Sequence, residues 1–69
     1  MFHGQKDRLL QALKRLDRKR EVPVQDIRAM FRDVLAGDQV VTALQTHGYA
    51  VRNGDVLTIT EAGKRRAAA

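Results

Sequence analysis

Residues 37–64 read GDQVVTALQTHGYAVRNGDVLTITEAGK, and their order decides the fold. An amphipathic helix carrying Val40, Val41 and Leu44 on one face runs into Gly48, the residue type best able to end a helix in the left-handed conformation. Two short apolar segments, Tyr49-Ala50-Val51 and Val56 to Ile59, then flank Asn53-Gly54, which predicts an antiparallel hairpin. Thr60 follows as the cap of a short last helix over Glu61 to Arg66, with acid at its start and bases at its end as the helix dipole favours. Ala67 to Ala69 are expected to fray.

The register of the hairpin can be argued from parity. A two-residue Asn53-Gly54 turn aligns Tyr49 and Val51 with Val56 and Thr58, whereas an odd loop aligns them with Leu57 and Ile59 and buries more apolar surface. The expectation is a three-residue loop with Gly54 left-handed and Arg52, Asn53 and Asp55 at an exposed tip. Tyr49 then lies on the inward parity with its ring in the core.

Upstream, Leu9, Leu13 and Leu16 recur at helical spacing beside Leu10 and Ala12, which predicts a first helix from Gly4 to Lys19. Glu21-Val22-Pro23-Val24 reads as a very short strand, and Pro23 confines it to an edge or a strand end because it has no amide proton to donate. From Gln25 the helical period resumes with Ile27, Met30, Phe31 and Val34 on one side, Phe31 serving as core anchor. Leu35-Ala36-Gly37-Asp38 supplies the break. Gly37 is free to take positive φ and Asp38 is expected to cap the third helix, on which Val40, Val41, Leu44 and the stem of His47 share the packed face.

Sixty-nine residues allow one small core, so a single domain over residues 1–69 is expected. The absence of cysteine rules out disulfides, thiolate metal sites and a cysteine nucleophile, and a reducing cytoplasm is the simplest home. No apolar run approaches the roughly 18 residues of a spanning helix. His3, Lys6, Asp7 and Arg8 stand where a signal peptide would need its apolar stretch, so no membrane role is expected. Thirteen Lys and Arg against eight Asp and Glu give +5, which favours a polyanionic partner and equally suits plain solubility. The charge is uneven: residues 1–20 sum to +5, residues 21–50 to −2 and residues 51–69 to +2.

Two stretches carry a family resemblance. Leu44-Gln45-Thr46-His47-Gly48-Tyr49-Ala50-Val51 looks like a recognition-helix exit, a leucine followed four residues later by glycine and then by an apolar strand. Leu57-Thr58-Ile59-Thr60-Glu61-Ala62-Gly63-Lys64 is similar to a strand-to-helix segment in which an apolar residue, Thr, two variable residues and Gly recur. With the order helix, short strand, helix, turn, helix, hairpin, the chain resembles the winged helix-turn-helix domains of bacterial and archaeal regulators of the MarR and PadR type. The resemblance implies an α+β fold with a three-helix core, a two- to three-stranded antiparallel wing and a short C-terminal helix. It also implies double-stranded DNA as partner, with the third helix in the major groove and the wing on the flanking backbone, as in a small transcriptional regulator or accessory DNA-binding protein. The chain departs from this pattern in two ways. Gly37 stands where many relatives place an aliphatic residue, which implies a shorter third helix, and Asp38 to Thr46 carries no Lys or Arg.

Base reading would therefore rest on Gln39, Thr42, Ala43 and Thr46, since glutamine can bond adenine bidentately and threonine and alanine methyls can meet thymine. The same stripe would serve as a plain solvated helix face. Arg52 and Asn53 at the wing tip could reach a minor groove or phosphate, a contact that positions without reading much sequence. Lys64, Arg65 and Arg66 either grip phosphate or stabilise their helix end. Lys14, Arg15, Arg18, Lys19 and Arg20 form the densest basic cluster, which reads either as a phosphate site or as a solvated face balanced by Asp17 and Glu21.

His3 and His47 have no spaced acidic or imidazole partner, so no metal site is expected. No nucleophile elbow, phosphate loop or carboxylate pair marks an enzyme, and neither a catalytic residue nor a cofactor is expected. The competing function is a winged helix for protein–protein interaction, which suits the near-neutral third helix. RNA or single-strand binding is disfavoured by the lack of an exposed aromatic pair. So small a module would gain specificity from a homodimer or a protein partner.

Overall fold

The computed structural model describes the backbone of residues 4–69 and side chains from Arg8 onward; His3 lies outside the described residues, as do the side chains of Lys6 and Asp7. The elements are α1 (Gly4–Lys19), β1 (Glu21–Pro23), α2 (Val24–Ala29), α3 (Val34–Thr46), β2 (Ala50–Asn53), β3 (Val56–Ile59) and α4 (Glu61–Ala68). This is a small α+β architecture, four helices against a three-stranded antiparallel sheet of order β1-β3-β2.

Leu13 and Leu16 from α1, Val22 from β1, Ile27 from α2, Leu44 from α3 and Leu57 from β3 are fully buried, so every element but the edge strand β2 and α4 contributes a large side chain to one core. At roughly 1.5–3 kcal/mol for each large apolar side chain removed from water, this cluster is the main stabilising term. Leu9, Met30, Phe31, Tyr49 and Ala67 pack partly buried around it. Ala67 therefore belongs to α4 and to the packed surface, and the helix runs through Ala68 where fraying was expected. Pro23 closes the edge strand β1, where no ladder partner needs its missing proton.

The α2–α3 region departs from expectation. α2 stops at Ala29 instead of running through Val34, and α3 begins at Val34, four residues before Asp38. The reason is the cap: Asp33 is extended and its Oδ1 accepts a hydrogen bond from the Leu35 amide at 3.0 Å. A helix started there stacks Ala36, Val40, Val41 and Leu44 in one buried stripe. Val34 and Leu35 fall in the exposed first turn, 73% and 62% accessible, so Val34 is not a core residue. Gly37 does not take positive φ but lies within α3, where a Cβ would come 3.2 Å from the Arg28 Cα; the glycine lets α2 and α3 touch. α3 is thus longer than Gly37 implied. His47 sits at the C-cap, exposed, its ring stacked on Tyr49 at 5.3 Å, and does not share the buried face.

The hairpin register also differs. Ala50 pairs with Ile59, Arg52 with Leu57 and Asn53 with Val56, so the loop is the two residues Gly54-Asp55 and the inward parity belongs to Ala50. Val51 faces out, 52% exposed, and Tyr49 precedes the strand. Gly54 is left-handed as expected, at φ +60, and it occupies the first central position of a tight turn, where only glycine is unstrained. What overrode the apolar count is the anchoring of Tyr49: its amide donates to the Leu44 carbonyl and its carbonyl accepts from Thr60, each at 2.9 Å. With the backbone fixed on both sides, the next residue points inward, and alanine fits a face already filled by Val22, Leu57 and Ile59.

Candidate nucleic-acid interface

α3 is buried along one side only. Gln39, Thr42 and Thr46 are exposed and Ala43 is half-buried, and their i, i+3, i+4, i+7 spacing places them on a single outward stripe. The stripe, with Leu35, Asp38 and His47, lines one shallow, open depression along α3. The structure thus brings the four expected helix residues together. The neighbouring Gln45 is not part of this set, because its Nε2 donates to the Val41 carbonyl at 3.2 Å, back along its own helix. On the other side of Gln39 and Ala43, a cleft of about 180 Å³ opens between α3 and the Arg8-Leu9 turn of α1.

Arg52 and Asn53 are exposed beside the hairpin turn. Arg52 is folded over that turn, its Nε donating to the Gly54 carbonyl at 2.8 Å. The turn itself is fastened to the start of α2, where the Val24 amide donates to the Asp55 carbonyl at 2.7 Å. The tip is therefore held against the start of α2 rather than hanging free.

Lys64 and Arg65 stand apart on α4, which packs chiefly on α1. Lys64 is half-buried with its Nζ 3.6 Å from Glu61, a local i, i+3 pair, while Arg65 is exposed. The helix is set by Thr60: its Oγ1 accepts from the Gly63 amide at 3.1 Å and donates to the Gly48 carbonyl at 2.6 Å. The Thr-x-x-Gly spacing thus joins the exit of α3 to the start of α4. The eight expected residues accordingly occupy three places: the α3 stripe, the hairpin tip and α4.

Sequence reasoning missed two contributors. Leu35 lines the α3 depression, a position visible only once Asp33 is recognised as the cap. Arg28 of α2 has its Nε 2.9 Å from Asp38 Oδ1, so the acid on α3 is paired across the α2–α3 junction.

Among the described residues no helix is long and apolar enough to cross a membrane. Compared with known protein families, curated proteins and solved structures, the chain matches none.

Proposed function

We propose that the chain is a winged helix-turn-helix domain that binds duplex DNA, α3 entering the major groove and the β2–β3 hairpin lying on the flanking backbone. The observation that carries this reading is the exposed Gln39, Thr42, Ala43, Thr46 stripe on a helix whose opposite side is buried, next to a fastened hairpin with Arg52 at its tip. Affinity would come from phosphate contacts by arginines, and discrimination from the amide, hydroxyls and methyls of the stripe. Such a module suits a small transcriptional regulator or accessory DNA-binding protein of the cytoplasm, paired with a second copy or a partner to widen its interface, and not an enzyme.

The test is fluorescence anisotropy of duplex DNA across a salt series. Four phosphate contacts would give a slope near −0.9 for each, so affinity should fall roughly 10²-fold over a fourfold rise in salt. Negligible binding at every salt concentration would sink the reading. It would favour a winged helix used for protein–protein interaction, for which the exposed Val34, Leu35 and Val51 are the supporting observation.

A further inference from the structure

The acid on α3 stands in the way of a simple electrostatic account of DNA binding, because a carboxylate facing a phosphate backbone repels it. The structure gives Asp38 another role. Its Oδ1 holds Nε of Arg28 at 2.9 Å, with both side chains nearly half exposed, 42% and 49%. Guanidinium is a planar fork, and a partner on the Nε edge leaves the outer Nη end for a second acceptor. The root of Arg28 is packed as well, since its Cα lies against Gly37 of α3, where an added Cβ would come within 3.2 Å.

The hairpin repeats the arrangement with a different anchor. Arg52 is held by Nε on the Gly54 carbonyl, and the adjoining Asp55 carbonyl is bonded to the Val24 amide, one helical turn before Arg28 on α2. Two guanidinium groups are thus grasped by the same nitrogen on one fastened assembly. Holding a long side chain in one rotamer before it meets a ligand removes part of the entropy that binding would otherwise cost.

We propose that Arg28 and Arg52 are pre-set phosphate-binding groups and that Asp38 favours DNA binding by positioning Arg28. The inference rests on the duplex-DNA reading above and adds a phosphate site on α2, together with a role for the acid that faces it.

The two readings part on the sign of one substitution. Asp38→Asn makes the protein more positive, so general electrostatics requires tighter binding. Positioning requires weaker binding, by about two- to five-fold, the range expected when an exposed, well-aligned ion pair is lost. In an Arg28→Ala background there is nothing left to position, so Asp38→Asn should then tighten binding, and the inversion of sign between backgrounds is the diagnostic. Arg28→Ala should weaken binding and reduce the salt slope by about one contact. Arg28→Lys keeps the charge but loses Nε and should bind less well than the parent. Binding is read by anisotropy on random-sequence duplex DNA, with thermal melts confirming that each variant is folded, and slowed exchange of the Arg28 and Arg52 Nε–H protons in the free protein reports the anchoring directly. If the parent binds and Asp38→Asn tightens binding equally in both backgrounds, the positioning role is wrong while the DNA reading stands. If the parent does not bind duplex DNA, both fall.

Discussion

Gly63→Ala tests the packing of the molecule where helix propensity and tertiary fit disagree in sign. Within a helix, alanine is favoured over glycine by about 1 kcal/mol, so local reasoning expects this change in α4 to stabilise the protein. The structure requires the opposite. A Cβ at this position would lie 2.2 Å from the Tyr49 carbonyl oxygen and 2.8 Å from Ile59 Cγ1, far inside contact distance, so something must move by about 1 Å. The Tyr49 carbonyl cannot yield freely, because it accepts the Thr60 amide at 2.9 Å, and Thr60 in turn caps α4 and binds the Gly48 carbonyl. Overpacking of this kind costs about 1–3 kcal/mol, and loss of the Thr60 amide bond adds about 1. After the propensity gain the net loss is about 1–3 kcal/mol. Against a total stability of roughly 3–10 kcal/mol for 69 residues, Tm should fall by roughly 5–20 °C. Circular dichroism melts of the two proteins measure it. A Gly63→Ala variant that melts within about 2 °C of the parent, or above it, would show that α4 does not sit against the exit of α3 as described.

Other substitutions separate the remaining arguments. Arg20 takes φ +71 at the end of α1, a left-handed conformation that costs a side-chain-bearing residue about 1 kcal/mol, so Arg20→Gly should raise Tm by several degrees despite removing a side chain. An unchanged or lower Tm would refute the strain. Asp33→Ala removes the cap of α3 and should cost about 1 kcal/mol, with faster hydrogen exchange at the Leu35 amide; unchanged exchange there would restore Asp38 as the competing start. The pair Gln39→Ala, Thr42→Ala should lower discrimination between preferred and random duplexes, by about 1–3 kcal/mol for a lost bidentate contact, while leaving the salt slope intact. Intact sequence preference in that pair would remove the stripe from the reading role.

Much of the architecture was legible because it rests on periodicity and punctuation. The leucines of α1, the Gly48 stop and the Thr60 cap each act through near neighbours in the chain and land where local rules put them, as does β3, whereas β2 runs Ala50–Asn53 in place of residues 49–51. Two of the failures share a cause, which is contact between segments distant in sequence. Gly37 was read as a break because glycine is permissive, yet it is needed because the Arg28 backbone lies against it. The apolar count favoured Tyr49 and Val51 inside, but the hydrogen bonds of Tyr49 to Leu44 and Thr60 set the parity that buries Ala50. The start of α3 is a separate case: Asp38 was the expected cap, and Asp33, whose Oδ1 accepts from the Leu35 amide, begins the helix earlier and puts Ala36 with Val40, Val41 and Leu44 in the buried stripe. The α3 stripe survived this shift because its residues lie downstream of either start.

The charge distribution carries more information than its totals. Residues 21–50 hold four acids and two bases, which on composition alone speaks against a polyanion. Three of those acids have specific partners: Asp26 lies 4.0 Å from Arg15, Asp33 holds the Leu35 amide, and Asp38 holds Arg28. An acid engaged with a base projects mostly a dipole, whose field falls off faster than that of a lone charge, and solution ions screen what remains within about 10 Å. By contrast Lys14, Arg18, Lys19, Arg65 and Arg66 have no carboxylate within ion-pair distance among the described residues. The α2–α3 region is close to neutral, and the bases without a carboxylate in range lie on α1 and α4. On the proposed duplex-DNA reading these bases supply the general attraction to a polyanion, and register comes from the α3 stripe, Arg28 and Arg52. Long-range attraction and local fit are thereby assigned to different residues, and substitutions at Arg18 and Lys19 should slow association without altering which duplex is preferred.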